Sequence, residues 1–220
     1  GHLWGANQLD RVRFQFQQGL WLSLPMGIAV CGAILLGLAL LGQLDISDEV
    51  YRIAKGYLLP YLITGFMFPA FFAFRATYEG IGDIRPVMLF NCLAFVLNAI
   101  LDYILVFGYL GFPAMGGIGA AWATTVVMFF LLLAMVVYGL KAKNIKKLQL
   151  YQQFSVPSRT AIAGILRLGI PISLTIAAEI GFFAIIPMLI AHLGANVLGA
   201  HAITNNLDSL AYMIPLGIGQ

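Results

Sequence analysis

Charge is scarce in this 220-residue chain: only 10% of its residues are Asp, Glu, Lys or Arg, against about 25% in an average soluble domain. That shortage excludes an ordinary soluble fold, and with 61% of the residues hydrophobic it points to a membrane protein. Cysteine is nearly absent too. Cys31 and Cys92 sit in separate apolar stretches, with neither a CxxC pair nor the spacing of a secreted framework. They read as small apolar fillers and imply no disulfide or zinc site. HExxH, GxSxG, a Walker A loop and a dinucleotide fingerprint are all missing, so neither an enzyme nor a bound cofactor is indicated. The first residues lack the charged start, short apolar stretch and small-residue site of a cleaved signal, and the spans themselves are expected to direct insertion. The chain starts at Gly1 and its last apolar run ends in "MIPLGIGQ" with no polar flank. We expect a piece of a longer protein, cut at both ends.

What the sequence does have is long apolar runs. Crossing a bilayer takes about 20 residues as helix, and six stretches qualify: 19–41, 57–77, 86–109, 117–140, 165–191 and 197–220. The expected fold is all-α, a polytopic membrane bundle of about six transmembrane helices. Basic residues orient it, because short cytoplasmic loops retain Lys and Arg. Ten of the twelve (Arg11, Arg13, Arg75, Arg85, Lys141, Lys143, Lys146, Lys147, Arg159 and Arg167) fall on one side, and only Arg52 and Lys55 fall on the other, beside Asp45, Asp48 and Glu49. The N-terminus, the 79–85 loop and the 141–160 loop are therefore expected on the cytoplasmic side of an inner, cytoplasmic membrane. The net charge of +3 reflects that topology and gives no nucleic-acid footprint.

Residues 1–18, "GHLWGANQLDRVRFQFQQ", are polar and amphipathic and suit a cytoplasmic connector lying at the interface. The longest non-apolar segment, 141–164, divides four spans from two. It is expected to be a cytoplasmic linker between a first part, 1–140, and a second, 165–220. Pro25, Pro60, Pro69, Pro171, Pro187 and Pro215 fall inside spans, where each removes a backbone bond and bends its helix. Bent helices suit a moving transporter, although proline is common in membrane helices generally.

Of the nine acidic residues, six lie in loops and three, Asp102, Glu179 and Asp208, lie on three different spans. Each ionised carboxylate at mid-bilayer costs on the order of 2.5–3.5 kcal/mol, so something must offset it. Asn91, Asn98 and Asp102 share one helix face at about 100° per residue, with Asp102 in the outer half of its span. Glu179 lies near a midplane, one turn after Thr175. His201, Asn205, Asp208 and Tyr212 follow one another at spacings of four, three and four, again one face. Polar groups of this kind can serve as interhelical glue with their acids protonated. That reading is favoured for Asn91, Asn205, Thr64, Ser173 and Thr175. A functional reading is favoured for Asp102 and Glu179, since an acid is a costly substitute for Ser or Asn where glue is enough. Asp208 is open between the two, and His201 serves equally as its partner or as a proton carrier. Clustered carboxylate, amide and hydroxyl oxygens suit a hard monovalent cation or a proton.

Three segments taken in order carry a resemblance: "EGIGDIRPVM" after the second span, "GGIGAAWATTV" opening the fourth, and "RLGIPISLTIAAEIGFFAIIPMLIAHLGANVLGAHAITNNLDSLAYMIPLGIGQ" closing the chain. Over nearly its whole length the chain resembles the multidrug and toxic compound extrusion (MATE) family, in its NorM-like branch. The resemblance implies a transporter of about twelve helices in two six-helix lobes related by an axis along the membrane normal. This chain is similar to helices three to eight of that plan, four from the first lobe and two from the second. It implies a cation site, with Na⁺ at Asn98, Asp102 and Thr124, completed by an Asp on the first helix, which lies outside this chain. It also implies a coupling role for Glu179, whose acidic partner on the tenth helix lies outside as well. Asp208 has no counterpart in the family pattern. With Asn91, His201, Asn205 and Tyr212, it is a candidate for a substrate or proton pathway on the physical argument alone.

The implied function is secondary multidrug efflux, in which amphipathic cationic drugs leave while Na⁺ or H⁺ enters. The implied partners are the lipid bilayer, those drugs and the missing helices of the same transporter, with the coupling ion in place of any cofactor. The oxygens do not separate Na⁺ from H⁺, and they name no drug. Two other readings remain. A lipid-linked oligosaccharide flippase of the same superfamily predicts a basic cavity, whereas these spans carry acids and no interior Lys or Arg. A non-transporting membrane scaffold predicts that neutralising the three acids changes nothing.

Overall fold

A computed structural model describes residues 2–43, 47–152, 154–190 and 194–219; Asp45 and the ends of the last two expected spans fall outside them. The described residues form helices and no strand: α1 (His2–Gly5), α2 (Leu9–Leu41), α3 (Asp48–Gly80), α4 (Arg85–Phe107), α5 (Gly117–Lys141), α6 (Lys143–Lys146), α7 (Arg159–Ile190) and α8 (Ala195–Gly219). The chain divides into two compact units, Gly1–Ile162 and Ala163–Gln220.

Residues 1–18 are not set off from the first span as a separate element. After the short α1, residues 9–18 run without a break into the first span as a single 33-residue helix. Most polar residues of 1–18 are exposed, as their pattern predicts, but Gln17 and Gln18 at the end of the segment are buried within the unit, at 1% and 0% exposure. Helix α3 also starts earlier than its apolar run, at Asp48. Ser47 caps it by accepting the Val50 N–H at 3.4 Å, and Asp48 and Glu49 in the first turn complement the helix dipole. Helix α4 opens with Pro86, where a missing N–H costs nothing. It stops at Gly108, whose φ of 78° is the left-handed cap conformation, with its N–H on Ile104 O at 2.9 Å. The chain then turns back tightly, since Met115 N donates to Leu105 O at 3.0 Å and Gly116 N to Val106 O at 3.2 Å.

In the first unit α3 packs between α2 and α5, and α5 packs between α3 and α4. Helix α5 comes so close to α4 that a Cβ on Gly119 would lie 2.6 Å from Leu105 O and 2.7 Å from its carbonyl carbon. The densest part of the core lies at one end of the unit. Phe16 of α2 meets Phe74 of α3 edge-on, with ring centroids 4.9 Å apart; Tyr78 Oη donates to Met135 O at 2.8 Å; Ile145, Leu148 and Leu150 are buried against the same cluster. Tyr138 Oη donates to Asp83 Oδ2 at 2.8 Å, tying the 79–85 turn to the same end. The three segments that carry most of the basic residues are thus gathered together.

The segment after α5 is no slack tether. Gln17 Nε2 donates to Leu150 O and Gln152 O, both at 3.1 Å, while its Oε1 accepts from Ser155 N at 2.9 Å and Ser155 Oγ at 2.8 Å. Gln18 Nε2 reaches Ser155 Oγ at 3.2 Å and Val156 O at 3.1 Å, and its Oε1 accepts from Ser158 N at 2.7 Å. Trp21 Nε1 adds a bond to Ser155 O at 2.9 Å. Through these bonds Leu150, Gln152, Ser155, Val156 and Ser158 are held on α2, within the first unit.

In the second unit, α7 carries Pro171 and Pro187 inside the helix. Thr175 Oγ1 back-bonds to Pro171 O at 3.1 Å. Five described helices, α2, α3, α4, α5 and α7, are long and apolar enough to cross a membrane. The sixth expected span forms α8, which is not among those five over its described residues; His201, Asn205, Asn206 and Asp208 dilute its apolar character.

Candidate cation site

Asn98 and Asp102 lie one turn apart on α4, and both are half-buried. Asn91, on the same face, is exposed, and its Nδ2 donates to Val87 O of its own helix at 2.7 Å. Thr124 belongs to α5, half-buried, with its Oγ1 donating to Ala120 O at 3.0 Å. Because that hydroxyl spends its proton on the backbone, its oxygen presents only lone pairs to anything else.

The Gly119–Leu105 contact sets the relative height of these groups. The tight 108–116 return makes α4 and α5 antiparallel, so distance from the crossing can be counted at about 1.5 Å per residue on both helices. Asp102 then stands about 4.5 Å from the crossing, Thr124 about 7.5 Å and Asn98 about 10 Å, all on the same side of it. The threonine is therefore level with the gap between the two α4 side chains. No direct hydrogen bond joins the three. The close packing of the two helices at Gly119 sets their relative heights and nothing more.

Asp102 stands out chemically. Its Oδ1 is the one buried side-chain oxygen or nitrogen among the described residues without a hydrogen-bond partner. An ionised carboxylate only accepts, and a buried acceptor left unmet costs about 1–3 kcal/mol, more when charged. A proton or a cation removes that cost directly. Among the described residues no group of three or more His, Cys, Asp or Glu side chains converges. The side chains of Asn98, Asp102 and Thr124 carry oxygen donors and no sulfur or imidazole, a chemistry of hard cations.

Beside this site the α3–α5 contact is polar. Thr125 Oγ1 lies 2.9 Å from Ala121 O, 3.2 Å from Pro60 O and 3.0 Å from Thr64 Oγ1, all of it buried. This fixes the rotation of α5 on α3 and with it the position of Thr124, the neighbouring residue. Thr64, expected as interhelical glue, bonds across to α5 in this way. Thr125 gave no separate signal in the sequence, where it is one of two adjacent threonines.

The other candidates lie in the second unit. Glu179, Asp208 and Tyr212 are exposed there, and His201 and Asn205 are half-buried. No hydrogen bond or ion pair joins His201, Asn205, Asp208 and Tyr212 among the described residues; Asn205 accepts the Ser209 hydroxyl at 2.7 Å through its backbone carbonyl only. The residues that sequence reasoning missed are Gln17, Gln18 and Trp21. Their partners lie at least 133 positions away in the chain, and glutamine in a polar segment is unremarkable by itself.

The MatE family model matches residues 1–104 and 171–220. The chain is 36% identical to a probable multidrug resistance protein NorM of Halalkalibacterium halodurans over 97% of its own length and 47% of that protein's. It is 33% identical to a probable multidrug resistance protein NorM of Idiomarina loihiensis over 100% of its own length and 47% of the relative's. With the multidrug resistance protein NorM of Aliivibrio fischeri it shares 31% identity over 97% of its length and 46% of the relative's. The chain therefore spans just under half the length of the curated relatives it matches.

Proposed function

The chain belongs to the MatE family, a family of transporters and not of enzymes, and on that premise we propose that it is part of a secondary antiporter that expels amphipathic cationic drugs as Na⁺ or H⁺ moves inward. The relatives' names, multidrug resistance proteins, support the substrate class. The observation that carries the ion-coupling half of the reading is the buried, unpartnered Oδ1 of Asp102. It lies one turn from Asn98 on α4, the helix that α5 approaches closely at Gly119.

In this mechanism the incoming ion neutralises Asp102. A ligand can shift a conformational equilibrium only by its differential affinity for the two states. An acid that is bare in one state and neutralised in the other supplies that difference. Glu179, on a separate unit, is the second acid of the scheme, and its carboxylate attracts the cationic drug in exchange for the proton or ion it holds. The family model matches one stretch in each unit, in keeping with four helices of one lobe followed by two of the next. The other helices of the transporter are the expected partners, in a cytoplasmic membrane with the 1–18 and 141–164 segments on the cytoplasmic side.

The test uses the complete protein in proteoliposomes, with export of a fluorescent organic cation read against an imposed Na⁺ or H⁺ gradient. Asp102→Asn is expected to reduce ion-driven export to the level of empty vesicles while the protein still folds. Export that stays fully dependent on the gradient in Asp102→Asn removes this residue from the mechanism.

A further inference from the structure

The charges at the core-rich end of the first unit do not balance. Three acids lie there, and each is engaged: Asp10 with Arg13 at 2.9 Å, Glu79 with Arg75 at 2.7 Å, and Asp83 with the Tyr138 hydroxyl at 2.8 Å. Six exposed basic residues at the same end, Arg11, Arg85, Lys141, Lys146, Lys147 and Arg159, have no acidic partner within ion-pair reach among the described residues. Contacts that hold the end together show that they share it. Arg13 Nη1 lies 3.5 Å from Gln149 Oε1, Val12 and Val87 belong to the same core cluster as Ile145, and Gln18 holds Ser158 beside Arg159.

The segment after α5 gives this surplus a fixed shape. Ile145, Leu148 and Leu150 are buried, whereas Lys141, Lys146 and Lys147 are exposed. The segment has an apolar side set into the core and a basic side facing out, and the Gln17–Gln18 bonds hold its far end. Lys141 is the last residue of an apolar helix long enough to cross the membrane, which puts this basic side at the level of the lipid headgroups.

We propose that this surface, centred on Lys141, Lys146 and Lys147, is a docking site for the headgroups of anionic phospholipids. A clustered juxtamembrane basic segment attracts anionic lipid, with each Lys or Arg near the surface strengthening binding by about fivefold. Here the lysines are also held in place by the buried side chains between them, so little chain order is lost on binding. The proposal does not depend on which ion drives transport.

The experiment reads lipid retained by the complete protein. The protein is purified and exchanged into mixed micelles of equal phosphatidylglycerol and phosphatidylcholine, and the bound lipids are counted by native mass spectrometry. Wild type is expected to retain phosphatidylglycerol in excess, and the excess should fall as NaCl rises from about 0.05 to about 0.5 M, as screening requires. The triple variant Lys141→Gln, Lys146→Gln, Lys147→Gln is expected to lose the excess by about tenfold or more in apparent affinity. Replacing the same three lysines by arginine should preserve it. Equal retention of the two lipids by wild type, an excess indifferent to salt, or an undiminished excess in the glutamine variant overturns the proposal. Equal loss in the arginine variant overturns it too, because it would trace the effect to packing and not to charge. The salt series needs no variant, so it can overturn the proposal even where the glutamine variant fails to fold, and the arginine variant then locates the site by retaining the excess.

Discussion

At the scale of single residues, the clearest energetic statement concerns Gln17. Its side-chain amide satisfies the carbonyls of Leu150 and Gln152 and the N–H of Ser155 in a buried place. Truncation to Ala leaves these backbone groups without partners, at about 1–3 kcal/mol for each that water cannot reach. Gln17→Ala is therefore expected to lower the thermal midpoint of the complete protein by several degrees and to speed amide exchange at Ser155. Unchanged protection at Ser155 would mean that the clamp is ornamental. Tyr151, in the same segment, donates to Val136 O at 3.1 Å, and burial pushes its hydroxyl up to about 12 from 10.0. The neutral form is the one that the fold favours. Its stabilisation is thus complete below about pH 10 and is lost as pH rises towards 12, which an absorbance titration of tyrosinate set against unfolding would follow. Legibility at this scale was uneven for a physical reason. Asp102 declared itself because a carboxylate inside an apolar run is costly wherever it lies. Gln17 did not, since its importance comes from groups that the fold brings in from far along the chain.

Between helices, the decisive feature is the place where α5 touches the α4 backbone. A methyl on Gly119 would come within 2.6 Å of Leu105 O and 3.0 Å of Val106 N. Backbone cannot rotate away as a side chain can. Gly119→Ala should push the helices apart at the level from which the heights of Asn98, Asp102 and Thr124 are set. We expect it to cost about 1–3 kcal/mol of stability and to weaken the ion dependence of export. Gly37→Ala, on α2 with open space around its Cβ position, is expected to leave both unaltered and serves as the control. If the two alanine variants behave alike, the crossing does not position the ion site. The apolar runs made these helices readable, but their ends were set by other chemistry: the Ser47 cap and the acids after it extend α3, and Gly108 stops α4. The crossing itself was not legible, because the glycine in "GGIGAAWATTV" reads equally well as a flexible residue and as a contact until its neighbour is known.

For the whole molecule, the question is what a chain spanning 46–47% of its relatives' length can do. The all-helical plan, with five of the six expected spans long and apolar enough among the described residues, and the grouping of basic segments followed from hydropathy and charge, both of which are properties of the sequence itself. The docking of Leu150, Gln152, Ser155, Val156 and Ser158 onto α2 did not, because polarity alone cannot distinguish a solvated linker from one whose backbone is satisfied by buried glutamines. The second unit differs in kind from the first: none of its described side chains is buried, and the exposed set includes Glu179 and Asp208. An acid intended for a transport pathway needs helices around it to exclude water and lipid, since the same charge in an open setting is screened and has little differential affinity to offer. We therefore predict that the 220-residue chain reconstituted alone inserts but exports no organic cation under an Na⁺ or H⁺ gradient. The complete protein should export in the same vesicles, and Glu179→Gln in it should reduce export of cationic substrates. Gradient-driven export by the chain alone would show that two copies supply what the relatives carry in one polypeptide. In that case Asp102 and Glu179 from both copies, and not acids on absent helices, would have to complete the pathway.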